Sequence, residues 1–301
     1  MWRRVRLVPR HRVTGGLGDA AGRRRGKGGE YFSSRPYFPG HDDLRDVDHK
    51  LTARLSTGEH PEFYIREHIE EEAIATVVIL DRVPSMQNPP EGAGVPMLAK
   101  QDVAVEAGCG LVDITKKSIG GAVGYRDFAN GELFRRAEYG RTRARRIKER
   151  NLPYPVFKAR PGQLAEHLRT FRSRPGVFVA VCSDFQDETL RDPNIWAHLA
   201  VSYDPIPVVI QDLVWEMTFP DHLAPMTVPI PDPVSGVYRL TRISKGRAEQ
   251  MREANEAQIR DLRALWSSQG IIPVELNAVD PRGIEAAFQR MAKLRKSRYR
   301  Q

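Results

Sequence analysis

The sharpest apolar pattern in the chain is Ile74-Ala-Thr-Val-Val-Ile-Leu-Asp81, a β-branched run that closes on a carboxylate. Unbroken apolar character without alternation suits a strand buried on both faces of a parallel sheet. Residues 177–182, followed by Ser183-Asp184, and 206–211 repeat the pattern, and 271–276 is a shorter version. Between these runs, apolar spacings of three and four predict helices over 96–108, 162–172, 188–200, 245–268 and 281–292. A further strand is expected over 121–126. Asn130-Gly131 is a hairpin turn signal that makes 132–138 its antiparallel neighbour. Strand and helix in alternation predict an α/β fold, a three-layer doubly wound sandwich around a mostly parallel sheet with one β-hairpin.

Composition narrows the setting. The 301 residues are 41% hydrophobic and 28% charged, with two cysteines, Cys109 and Cys182. That is enough apolar material for a core, but too few thiols for a disulfide framework or a four-thiolate zinc site, so a cytoplasmic location is expected. No apolar run is long enough to cross a bilayer, which argues against membrane insertion. The formal charge is +9, but it is unevenly placed. Residues 1–36 hold ten Lys/Arg against Asp19 and Glu30, 141–150 hold six against Glu149, and 290–301 hold six against no acid. These excesses together outweigh the whole-chain charge, so the remaining sequence is acidic. Residues 1–36, rich in Gly and Arg, read as a basic arm with little to bury, followed by a distinct segment over 37–72 and the sandwich over 73–301.

Several enzymatic constellations are missing. Gly22 to Gly28 lacks the spacing and the Ser/Thr of a phosphate loop, and His68-Ile-Glu-Glu71 lacks the second histidine of a zinc-protease helix. No Gly-x-Ser-x-Gly elbow is present, and the eight histidines do not pair with cysteine at zinc spacing. In an open α/β sheet, ligands bind beyond the carboxyl ends of the strands, where Asp81 and Asp184 both lie.

The run Tyr37-Phe-Pro-Gly40-His-Asp42-Asp43-Leu-Arg45-Asp46-Val-Asp48-His-Lys-Leu-Thr-Ala53-Arg54 resembles the signature of the domain of unknown function fifty-eight family, a Pro-Gly-Asp-Asp-x-Arg-x-Ile-Asp-Trp stretch followed by Ala-Arg. Asp81 to Met86 resembles that family's Asp-x-Ser-x-Ser-Met loop, and Cys182-Ser-Asp184-Phe its Ser-Asp-Phe strand end. Gln211-Asp212-Leu-Val-Trp-Glu216 is similar to its Asp-Pro-x-Glu segment, and Pro231-Asp-Pro-Val-Ser-Gly236 to its Asp-Pro-x-x-Gly turn. The resemblance implies a von Willebrand factor A-like fold whose strand-end loops form a metal-ion-dependent adhesion site. It also implies a non-catalytic adaptor or assembly role beside a MoxR-type AAA+ ATPase.

Two departures fall on that site. Val83 stands where the metal motif has its first serine, and Arg82 brings a positive charge next to it. What remains for Mg2+ or Mn2+ is Asp81, Ser85 and Asp184 with water, the hard oxygen donors such ions take. The partner-binding set expected on this reading is Asp81, Arg82, Ser85, Thr142 and Asp184, with Arg82 pairing directly with an acidic group of the partner. In the signature, Asp42, Asp43, Asp46 and Asp48 interleave with Arg45 and Arg54, a pattern expected to form a fixed salt-bridge network. The alternative from another class is a nucleic-acid-binding protein that uses the three basic segments as one surface, which requires them to converge in space.

Overall fold

The computed structural model describes residues 5, 7, 23–26, 30–38, 44–55, 63–71, 76–87, 98–119, 123–136, 141–173, 176–218, 224–231 and 237–299. The chain divides into two compact units, 12–73, and 1–11 together with 74–301.

The smaller unit contains β1 (Arg23–Gly26), β2 (Glu30–Pro36), α1 (His49–Leu55) and β3 (Tyr64–Glu71). Its three strands form an antiparallel sheet in the order β1-β3-β2. Part of the expected basic arm is therefore strand. A ladder is built from main-chain bonds, so the Gly/Arg composition that argued against a core does not prevent pairing with β3. Asp48 is buried and caps α1, its Oδ1 accepting from the amides of Lys50 and Leu51 at 3.1 Å each. Thr52 Oγ1 accepts from Tyr64 N at 3.1 Å and joins that helix to β3. Of the expected charge network, Asp42 and Asp43 lie outside the described residues. Arg45 and Asp46 sit in a short 3-10 turn, Leu44–Asp46, and Arg54 is exposed in the last turn of α1.

The larger unit runs β4 (Thr76–Leu80), α2 (Lys100–Ile119), β5 (Val123–Asp127), β6 (Phe134–Arg136), α3 (Arg141–Arg146), α4 (Gln163–Arg169), β7 (Phe178–Ser183), α5 (Pro193–Ser202), β8 (Asp204–Ile210), β9 (Met226–Pro231), β10 (Tyr238–Ile243), α6 (Lys245–Ser268), β11 (Val274–Leu276) and α7 (Pro281–Tyr299). Among the described residues the main sheet has six strands in the order β11-β8-β7-β4-β5-β6, all parallel except β6, which pairs antiparallel with β5. The predicted central strands and the hairpin at Asn130-Gly131 are present. Residues 1–11 are not wholly arm-like either, because Val5 and Leu7 are buried.

Alternate residues of the central strands feed different layers. Val77, Ile79, Val179, Val181 and Val209 join α4, α5 and α6 in one apolar cluster, with Phe185, Trp196 and Trp266 packed edge to face within it. On the other face α2 packs on β4, β5, β7 and β8 and against α7. Helix α2 extends eleven residues past Gly108, which the pattern made its end. That glycine is a point of close approach: a Cβ there would lie 2.6 Å from a methyl of buried Leu152. The β9–β10 hairpin is absent from the sequence reading. Its Val228 and Ile243 form a small separate cluster with Ala248 of α6, against which Trp215 packs. At the far edge, Arg295 of α7 is fully buried, pairs with Asp204 at the start of β8 and stacks on Phe178 and Tyr299. None of the described helices is long and apolar enough to cross a membrane.

Trp266→Ala removes one of the two indole rings from the apolar cluster beneath α4, α5 and α6 and is expected to lower the unfolding free energy by about 3–5 kcal/mol in urea denaturation. A loss under about 1 kcal/mol would show that the cluster does not hold the helical layer on the sheet.

Candidate functional site

The chain leaves β4 for β5 on one side and later enters β7 on the other, so the order reverses between β4 and β7. In open α/β sheets the crevice beyond the carboxyl ends at such a reversal is where ligands meet the fold. Asp81 follows β4 and Asp184 follows β7, and the parallel register of Leu80 with Cys182 makes them neighbours. Both are buried, at 2% and 1% exposure. The amide of Asp81 donates to Cys182 O at 2.9 Å, and Ser183 Oγ donates to Asp81 Oδ2 at 2.7 Å. Burial, with the Asp184 charge second, pushes the Asp81 carboxyl up to about 7, against the hydrogen bonds from Ser183 and the Val83 amide.

Asp184 has a different partner. Its Oδ2 accepts from the Lys100 ammonium at 3.0 Å, while Oδ1 accepts from the Gln186 amide at 3.2 Å. Lys100 begins α2 and also bonds Glu216 Oε1, and Glu216 Oε2 accepts from the Asp212 amide at 2.9 Å. Asp212 in turn accepts from the amides of Leu98, Val214 and Trp215. One ammonium thus serves two carboxylates. Burial pulls Lys100 down, but Asp184 and Glu216 outweigh it and hold the ammonium charged, above its usual value. Burial raises Glu216, with Asp184 adding to the rise and Lys100 opposing it.

The backbone turns sharply here. Phe185, directly after Asp184, has φ 56, in the left-handed region that non-glycine residues seldom enter. It is held there from both sides. Its amide donates to Ser183 Oγ at 3.0 Å, Gln258 of α6 donates to its carbonyl, and its ring sits between Trp196 and Trp266. The turn lets Asp184 face Lys100 while the next side chain enters the core.

On the other flank, Arg82 is fully buried. Its guanidinium pairs with Asp127 at 3.3 Å and donates to Tyr125 Oη at 3.0 Å and to the carbonyls of Asn151, Leu152 and Tyr154. It also lies over the Phe157 ring. The expectation that Arg82 reaches a partner's acidic group is corrected: it faces inward and fastens the 151–157 segment to the sheet, because those carbonyls and Asp127 need a donor once buried. Ser85 is half-buried in a 3-10 turn, Pro84–Met86, just past Asp81, and Thr142 falls in α3.

The expected metal set does not suit Mg2+ or Mn2+. Asp81 is engaged by Ser183 and the Val83 amide, Asp184 by Lys100 and the Gln186 amide, and a cation already stands beside Asp184. Among the described residues no three His, Cys, Asp or Glu gather as metal ligands. Beyond these buried pairs the rim is more open. Leu213 and Val214, after β8, are 44% and 40% exposed. A cavity of about 360 Å³ lies past β5, lined in part by Asp127, Glu132, Arg150, Asn151 and Tyr154. The Asn151 Oδ1 in its wall accepts no hydrogen bond from the described residues.

Lys100 and Arg82 are the residues whose roles sequence reasoning missed or inverted. Lys100 had a legible signal, since it precedes Val103, Ala104, Ala107 and Leu111 on the buried stripe of α2, a position that spacing reserves for an apolar side chain. The basic segments are partly spent within the fold: Lys148 pairs with Asp113, Arg145 with Glu149 and Arg295 with Asp204.

The class defined so far is a three-layer α/β protein with a charged, internally paired site at its strand ends. A family model described as "Protein of unknown function DUF58" matches residues 33–264. The chain belongs to that family. No curated protein matches the sequence. Solved structures similar to it include the conserved hypothetical protein BatB from Bacteroides thetaiotaomicron, at 16% identity and TM-score 0.39, covering 73% of this chain and 99% of that one. The PilB minor pilin from Streptococcus sanguinis has 12% identity and TM-score 0.36, covering 80% and 66%. The pilus adhesin SpaC from Lactobacillus rhamnosus GG has 11% identity and TM-score 0.34, covering 75% and 31%.

Because the Asp81 carboxyl lies near 7 when folded and near 3.8 otherwise, the folded state holds an extra proton between those values. Its contribution to stability is full below about pH 4 and is lost as pH rises to about 7, a change on the order of 4 kcal/mol. Asp81→Asn, which keeps an acceptor for Ser183, is expected to flatten that slope and to be more stable than the parent at pH 8, read by denaturant midpoints across pH. An unchanged slope would mean that Asp81 is ionised throughout. Arg82→Ala leaves the buried Asp127 carboxylate without its cation and takes a donor from the carbonyls of Asn151, Leu152 and Tyr154, and a loss of about 3–5 kcal/mol is expected in the same assay. Near-neutral behaviour would remove the anchoring role.

Proposed function

We propose that the protein is a non-enzymatic interaction module of the von Willebrand factor A-like type that docks a protein partner, a MoxR-type AAA+ ATPase, on its strand-end face in protein assembly or maturation. The carrying observation is the state of the ionisable groups at the strand reversal. Asp184 and Glu216 share the Lys100 ammonium, Asp127 pairs with Arg82, and Asp81 is bonded to Ser183. A hydrolytic site needs a base or nucleophile that reaches substrate, and this arrangement turns such groups inward. What the face offers outward is the exposed pair Leu213 and Val214 after β8 and, past β5, a cavity with a largely polar lining beside Tyr154. Exposed apolar side chains and a concavity with polar groups suit a protein partner's surface.

The strand order, with an antiparallel edge strand following the second parallel one, supports the A-like reading, and family membership supports the choice of partner. The test is binding of the purified full chain to a MoxR-type ATPase encoded in the same genome, measured by calorimetry. Leu213→Asp with Val214→Asp is expected to weaken binding at least about tenfold while leaving the melting temperature within about 2 °C, since both residues are exposed. Equal affinity of parent and double variant would remove this face from the interaction, and absence of any binding would remove the partner.

A further inference from the structure

We infer that Lys100 is a built-in replacement for a divalent cation, so that the strand-end site is assembled by an ammonium group and is indifferent to metal. The position of the lysine breaks two local rules at once. It stands on the buried stripe of α2, and it brings a positive charge to the first turn of a 20-residue helix, where the exposed amide ends favour anions. A residue kept against both preferences is explained by what it touches. Its ammonium meets Asp184 from the end of β7 and Glu216 from the turn after β8, and both carboxylates are held from behind by main-chain amides, of Gln186 and Asp212. Three elements that a hard cation would draw together through oxygen ligands are drawn together here by one lysine. The charge is a fixed part of the chain, so no ion has to be captured and no open coordination position is left to a partner's carboxylate.

The converse follows from the same geometry. Removing the ammonium leaves Asp184 and Glu216 facing the space it filled as two carboxylates without their cation, with Ser183 and Asp81 alongside, which is a set of hard oxygen donors. Lys100→Ala should therefore create a divalent-cation site where the parent has none.

The inference deepens the docking reading at the same face, but its test needs no partner, so failure to bind an ATPase and failure here are separate results. Full-length protein stripped with EDTA is titrated with MnCl2 and followed by the paramagnetic signal of free Mn2+ and by thermal unfolding. The parent is expected to leave the free Mn2+ signal and its melting temperature unchanged. Lys100→Ala is expected to melt at least about 5 °C lower in EDTA and to regain much of that shift in millimolar Mn2+. Adding Asp184→Asn to Lys100→Ala should abolish the regain, and Lys100→Arg, which keeps a cation, should remain indifferent to Mn2+. Stoichiometric Mn2+ binding by the parent that Asp184→Asn removes would overturn the inference, and that measurement stands even if Lys100→Ala does not fold. A Lys100→Ala protein that folds but takes up no Mn2+, or that melts with the parent in EDTA, would overturn it as well.

Discussion

A single ammonium group shared between a buried carboxylate and a half-buried one sets the architecture of the strand-end face. Lys100, Asp184 and Glu216 come from the start of one helix, the end of a central strand and the turn after its neighbour. Bringing three charges out of water is unfavourable unless they face one another and their remaining lone pairs are satisfied. Here the spare oxygens accept main-chain amides, so both conditions hold. Loss of the ammonium would leave the buried Asp184 carboxylate without its cation.

The same solution recurs across the sheet. Arg82 gathers Asp127, a tyrosine hydroxyl and three carbonyls, and Arg295 at the far edge pairs with Asp204. Between these anchors lies the apolar cluster around Phe185, Trp196 and Trp266, whose packing holds the one left-handed residue at the critical turn. Apolar burial supplies the driving force, while the buried ion pairs decide which loops lie beside which strand ends. Satisfied buried networks of this kind specify one arrangement of the loops at the strand ends.

Much of this was legible in the chain. The runs that became β4, β7 and β8 are rich in β-branched apolar residues, and such runs have few alternatives to a buried parallel strand, whereas only Val274–Leu276 of the expected 271–276 is strand. Asn130-Gly131 marked the β5–β6 hairpin, and α6 spans its expected 245–268, opened by Ser244, whose hydroxyl accepts from the Arg247 amide. The signature residues from Tyr37 onward pointed to the family that the 33–264 match establishes. Less legible were β1 and β2, where main-chain pairing to β3 overrode an Arg/Gly composition. The β9–β10 hairpin was missed although its cluster partners Trp215, Ala248 and Met251 lie close in sequence, whereas the continuation of α2 through Gly108 depended on Leu152, far along the chain.

The sequence by itself determined the layer order, the placement of Asp81 and Asp184 at strand ends and the family, because each is written in local periodicity or in short motifs. Only the tertiary structure decided what those carboxylates do. Lys100 meets Asp184 across 84 residues and Glu216 across 116, and Arg82 meets Asp127 across 45. Pairings at such separations are selected by the sheet's crossovers, and a charge takes its meaning from its partner: the same Arg82 that reads as an outward contact is, once folded, the inward clamp of the loop beside it.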